Sequence, residues 1–211
     1  SELLPALFSI MGYTLENLPH ADKEAAEIGL KYANNEICYP ATLVVGSIIK
    51  ALQSGTYNFD EIAVGITQTG GQCRASNYIA LIKNALIAAG YDTIPVISVA
   101  FGNDMMNEQP GFKLKLTGNL SIALFSLLYT DCIFKLYYAA VVREKKKGVA
   151  KELRIKYIDL ALPLIKKRST QGLLRLFEQA ILEFDANIQH NDNIPIIGVV
   201  GEIYVKYNSF S

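Results

Sequence analysis

Two short β-branched runs, Ile62–Thr67 and Ile94–Val99, flank a stretch of helical periodicity, Ala75–Ala89, that stops at Gly90. Both runs are nearly continuous in apolar residues, the pattern of parallel strands covered on both faces. A strand, a helix and a second strand joined by short connections form a βαβ unit, which requires the two strands to pair in parallel. This pattern sets the fold class as α/β: a small parallel sheet flanked by helices.

The remaining segments extend that unit. Asp22–Tyr32 and Pro40–Leu52 read as helices, with Asp22 as N-cap of the first and Pro40 suited to the first turn of the second. Leu4–Ile10 is a candidate strand, although Pro5 counts against it. From Asn103 to Thr117 the chain reads as loop. Leu120–Arg143 predicts one long apolar helix whose basic end runs into Gly148 as its C′ residue. Val149–Lys167 continues in helical period with an interruption at Pro163, and Ser169–Phe184 is a further helix capped by Ser169 or Thr170. Ile194–Val200 is a third β-rich run. The expected division is an α/β domain over 1–116, a helical extension over 117–193, and the start of another α/β domain or an extra strand over 194–211. The chain opens at Ser1 and stops at Ser211 without a closing helix, so it reads as a piece of a longer protein.

The chain has 211 residues, of which 19% are charged, with a formal net charge of zero. That balance supplies no long-range field for nucleic acid or a membrane surface. Leu120–Val142 is long and apolar enough to span a bilayer. Asp131 and Lys135 fall at its middle, where each charge costs about 2.5–3.5 kcal/mol on insertion scales. Their i, i+4 spacing lets them pair on one face, so a helix of a soluble protein is expected. Three widely separated cysteines do not resemble a disulfide framework, and a reducing, cytoplasmic setting fits them.

Chemistry is concentrated in Thr67-Gln-Thr-Gly-Gly-Gln-Cys-Arg-Ala-Ser-Asn-Tyr78, where Cys73 follows a glycine pair and stands where a helix begins. Cys38, before Tyr39 and Pro40, has the same placement. A helix start offers unpaired backbone N–H groups and the positive end of the dipole, a setting that suits a metal-binding or reactive sulfur. A cysteine at such a position is also a good small buried residue. Cys132 lies within the long helix beside Asp131 and alone would be read as core packing. Three thiolates can hold three irons of a 4Fe-4S cluster. Gly70, Gly71, Gln72 and Arg74 form a candidate anion-binding set after the first strand, or else a tight strand-to-helix turn with a structural arginine. Neither a dinucleotide-binding nor a P-loop glycine pattern is present. His20 and His190, the only histidines, lie in polar, loop-like contexts that suggest surface roles. The basic run Arg143–Lys147 reads as a solvated helix end. Tyr137 and Tyr138 read as packing residues.

Five segments, in order, carry a resemblance that covers essentially the whole chain. They are Asn34-Asn-Glu-Ile-Cys-Tyr-Pro-Ala41, Thr67–Tyr78, Asp131-Cys132, Val142-Arg-Glu-Lys145 and Gly198-Val-Val-Gly-Glu-Ile-Tyr-Val-Lys-Tyr-Asn208. The chain resembles the C-terminal region of large acyl-CoA dehydratase activase-related proteins, the CoA-substrate-specific enzyme activases. That resemblance implies actin-like ATP-binding domains upstream and similarity of this region to the 2-hydroxyacyl-CoA dehydratase component. The implied fold is flavodoxin-like, and the implied cofactor is an iron–sulfur cluster of 4Fe-4S type held by Cys38, Cys73 and Cys132. The implied function is low-potential electron transfer or reductive chemistry, with a dehydratase or reductase as partner and no nucleic acid or membrane. The chain departs from an activator in lacking an ATP motif. On this basis Cys38 and Cys73 are expected to approach one another at the crevice beyond the strand ends, with Cys132 presented by the long helix. Two other functions stay open: a non-catalytic docking scaffold, and a CoA- or nucleotide-binding module using Gly70, Gly71 and Arg74.

Overall fold

The computed structural model describes residues 3–34, 36–67, 74–99, 118–190, 194–195, 197–198 and 200–201, with Arg74 and Val99 described by their backbone. The chain divides into two compact units, one of Ser1–Asn17 with Lys115–Gly198, the other of Leu18–Leu114 with Val199–Ser211.

The unit that begins at Leu18 holds the βαβ element. It contains α2 (Lys23–Tyr32), α3 (Tyr39–Gln53), β1 (Val64–Thr67), a 3-10 turn (Arg74–Asn77), α4 (Tyr78–Ala88) and β2 (Val96–Val99), while α1 (Leu4–Ile10) lies in the other unit. The strands pair in parallel with Val64 opposite Val96 and Thr67 opposite Val99. Among the described residues the sheet has these two strands and no more. Along β1 burial alternates, with Val64 and Ile66 half-buried and Gly65 and Thr67 exposed. Helices therefore cover one face of this strand, where the apolar run predicted cover on both. A core of Val45, Ile48, Ile49 and Leu52 from α3, Ile79, Ile82, Ala85 and Leu86 from α4, and Ile94 and Val96 closes over that face. Gly90, at φ +82°, ends α4 as its sequence position predicts.

The first helix pair rests on missing side chains. Asp22 accepts from the Ala25 N–H at 2.9 Å and caps α2, as expected. Along α2 and α3, Ala25 and Gly29 meet Thr42 and Gly46. A Cβ at Gly46 would fall 1.7 Å from the Ala25 carbonyl oxygen, and one at Gly29 2.1 Å from that of Thr42. The two backbones are in direct contact. Lys50 on α3 reaches back to the carboxylates of Asp22, at 2.5 Å, and Glu24, at 2.7 Å.

The second unit is helical. It packs α5 (Leu120–Val141), α6 (Val149–Lys166) and α7 (Thr170–Ala186) against one another, with α1 on α6. Leu4–Ile10 is thus a helix and not a strand; Pro5 occupies its first turn, where no N–H is needed. Core residues include Ile122, Tyr129, Ile133, Leu153, Tyr157, Ile165, Leu173 and Phe184. The Tyr129 hydroxyl donates to the Tyr157 carbonyl at 2.8 Å, so the one polar end of that buried ring is satisfied.

Two boundary expectations change. Gly148 is not the C′ residue of α5: at φ +95° it is the N-cap of α6, and the Glu144 carboxylate accepts from the Gly148 and Ala150 N–H groups at 2.7 and 3.1 Å. Pro163 does not interrupt α6, which runs through it to Lys166. The proline lies on the exposed side near the helix end, where the carbonyl it leaves unpaired is that of exposed Asp159. Ser169 caps α7 through the Gly172 N–H, as expected, and its own N–H donates to the Leu164 carbonyl. With Arg168 at φ +53°, the end of α6 and the start of α7 share one turn.

Leu120–Val141 satisfies the length and hydropathy criteria for a membrane span. It nevertheless lays Ile122, Ser126, Tyr129, Thr130, Ile133 and Ala140 into the bundle. Ser126 and Thr130 donate to carbonyls one turn back within the helix. The described residues of 194–201 form no strand, and Ile197 and Val200 are exposed, so the third β-rich run is not a strand at those positions.

Candidate functional site

The residue that joins the two helix starts of the α/β unit is Cys38. After α2 the chain turns through Asn34, whose side-chain oxygen accepts from the Glu36 N–H at 2.9 Å. Cys38 then adopts an extended conformation, φ −64° and ψ 145°, as N-cap of α3. Its carbonyl oxygen already accepts from the Ala41 N–H at 3.0 Å, while its side chain makes no capping bond. The sulfur is therefore left for something else. Cys38 is exposed, as an available ligand requires.

Its neighbour is Tyr78. The Tyr78 hydroxyl lies 3.7 Å from Cys38 Sγ. Tyr78 is the first residue of α4, and the chain reaches it from Cys73 through the 3-10 turn Arg74–Asn77. The starts of α3 and α4 thus meet side by side, and α4 is reached along the chain from the connection that leaves β1 at Thr67. That connection follows the carboxyl end of a parallel strand, where open α/β sheets bind ligands. The α-helix begins at Tyr78, later than expected. The turn ahead of it is a short 3-10 segment, whose poorer alignment gives a weaker dipole than a full helix start next to Cys73 would.

Cys73, Gly70, Gly71 and Gln72 lie outside the described residues, as does the side chain of Arg74 and the segment from Asn103 that would form the far side of the crevice. Cys132 is on α5, as the sequence indicates, and is half-buried. It belongs to the helical unit, whereas Cys38 belongs to the α/β unit. Among the described residues no three His, Cys, Asp or Glu side chains gather in a group that can hold a metal ion. Cys38 by itself fits a thiolate-ligated group: it is exposed, uncommitted to capping, and at a helix start.

Tyr78 is the site residue that sequence reasoning passed over. Its signal was its position as the last residue of the Thr67–Tyr78 segment, which the structure makes the first residue of α4. His20 and His190 are exposed, and His190 faces Asp185 at 3.6 Å on the surface. Tyr137 lies under the Arg154 guanidinium, 5.2 Å from its ring centre, consistent with a packing role, whereas Tyr138 beside it is largely exposed and not a core residue. A depression lined by Lys83, Leu86, Ile87 and Asp92 through Pro95 lies at the opposite end of α4 from Cys38 and brings no catalytic groups together.

Compared with known proteins, the chain matches no family model, no curated protein and no solved structure.

Proposed function

We propose that the chain carries a thiolate-ligated iron–sulfur cluster of 4Fe-4S type and serves low-potential electron transfer or reductive chemistry. The setting is the activase and 2-hydroxyacyl-CoA dehydratase systems that its motifs resemble. Cys38 and Cys73 are the proposed ligands from the α/β unit, on a flavodoxin-like scaffold. The observation that supports this reading is the Cys38–Tyr78 contact, which brings an exposed thiol to the helix that Cys73 leads into. When bound, such a cluster supplies one-electron transfer. The protein's own part is to hold the sulfurs, to donate N–H groups from the start of α3 toward the anionic cluster, and to shade one side with the Tyr78 ring. Actin-like ATP-binding domains upstream and a dehydratase or reductase are the proposed partners, in the cytoplasm.

Iron and sulfide determination on anaerobically prepared protein, with EPR of the reduced sample, tests this. The expected result is stoichiometric iron with a cluster signal that C38S and C73S each abolish. Iron below stoichiometry in anaerobic protein, or iron unaffected by both substitutions, overturns it.

A further inference from the structure

The outer side of α5 and its C-cap residue carry a seam whose residues recur in alternating steps of four and three: Leu124, Leu128, Asp131, Lys135, Tyr138 and Val142. This is the heptad spacing by which one helix docks along another. None of the six is in the core of the bundle. Leu128 is 62% exposed, Tyr138 60% and Val142 58%. Asp131 and Lys135 pair with each other at 3.0 Å, with side chains 62% and 75% exposed.

The order along the seam is apolar, apolar, acidic, basic, apolar, apolar, so it complements itself when reversed. We propose that this face of α5 is the interface of an antiparallel homodimer whose two-fold axis passes at the level of Ile133. In that arrangement Asp131 faces the partner's Lys135, and Lys135 faces the partner's Asp131. Leu128 packs on the partner's Tyr138, and Leu124 on the partner's Val142. A parallel pairing would stack Asp131 on the partner's Asp131 and Lys135 on the partner's Lys135, a like-charge arrangement that disfavours it. An isologous contact of this kind closes at two copies. The helix has 22 residues. At 1.5 Å per residue it provides about 33 Å of contact line.

A bilayer is the other surface that could cover such a helix. It is disfavoured because the apolar stripe faces outward on one side only, with the ion pair at its centre, where a charge is most costly in lipid. A second copy converts the same two charges into complementary contacts. The dimer is independent of any iron–sulfur cluster, so it stands or falls apart from that reading.

The test is the mass of the whole chain in solution, by sedimentation equilibrium, for wild type, D131K and K135D. Wild type is expected at twice the 23.2 kDa of one chain. Each single reversal creates two like-charged pairs across the axis and is expected to weaken association by roughly tenfold or more. An equimolar mixture of D131K and K135D restores opposite charges at both positions and is expected to recover the dimer. Both variants should stay folded by circular dichroism, because an exposed i, i+4 pair contributes only about 0.3–0.5 kcal/mol. A monomeric wild type, reversals that dimerise as well as wild type, or a mixture that stays monomeric each overturns the proposal. So does wild type that binds anionic vesicles through α5 in place of self-association.

Discussion

Glu183 shows how a single side chain ties two helices of the bundle. Its carboxylate accepts from Lys156 Nζ at 2.7 and 2.6 Å and from the Tyr157 hydroxyl at 2.6 Å, so α7 is held to α6 by one cation and one phenol. The Lys156 ammonium, followed by the Tyr157 hydroxyl, holds the Glu183 carboxyl below the ordinary glutamate value. Tyr157 is shifted the other way: burial first, then the adjacent carboxylate, pushes its hydroxyl up to about 12. Replacing Tyr157 by Phe keeps the buried ring and removes one hydrogen bond to a half-exposed carboxylate. The expected loss is about 1 kcal/mol, below the value for a buried charged pair because solvent screens Glu183. Urea denaturation of Y157F against wild type reads it directly. None of this was legible from Tyr157 and Glu183 as letters, because their meeting depends on the register between α6 and α7. Cys38, by contrast, was legible as a residue at a helix start, because Pro40 marks the first turn; the structure starts α3 at Tyr39 and so makes Cys38 the cap.

At the scale of elements, sequence and structure agree where the forces are local and differ where they act between distant residues. Asp22, Gly90 and Ser169 marked helix ends correctly because caps and left-handed turns are local chemistry. Leu4–Ile10 is only a candidate strand by sequence, with Pro5 against it, because a short apolar run suits either element; packing on α6 decides for a helix. The α2–α3 pair was legible as two helices but not as a pair in backbone contact, since Gly29 and Gly46 look like weak helix formers until a neighbour fills the space. Gly46 and Gly65 now predict opposite outcomes. G46A must separate α2 from α3 and is expected to lose about 3 kcal/mol or to unfold the α/β unit. G65A meets nothing nearer than Ile97 Cγ1 at 3.9 Å on an exposed strand face. It is expected to be neutral or slightly stabilising. Guanidinium unfolding of the two variants separates these outcomes.

For the whole molecule, the charged and phenolic groups set a window of pH. Hydrogen bonding to Lys50, then to the Ala25 N–H, lowers the Asp22 carboxyl, and Glu183 is lowered by Lys156. Groups with a depressed folded value stabilise above their unfolded value of about 4 and lose that contribution as pH falls through the folded one. Tyr157 is raised to about 12, and Tyr129 is raised further by burial and then by the neighbouring Tyr157. Their contribution is complete below the unfolded value of about 10 and is lost as pH rises through the folded values. Denaturation midpoints measured against pH are therefore expected to be flat between these limits and to fall on both sides. D22N keeps a capping side chain on α2 while removing the titrating group, and is expected to make the acid fall shallower. An unchanged acid limb in D22N would remove Asp22 from this account.

By itself the sequence determined the βαβ unit with its parallel pairing of β1 and β2, most helix ends and the cysteine at the start of α3, within a chain that is mainly helical. All of these follow from backbone preferences and hydrophobic period within a few residues of one another. Tertiary structure alone decided that α1 is a helix of the bundle, that β1 is covered on one face, that Gly29 and Gly46 bring two backbones together, and that Tyr78 stands against Cys38. Those outcomes depend on contacts between residues far apart in the chain, where the free energy of burial is shared among many side chains and no local pattern encodes the partner.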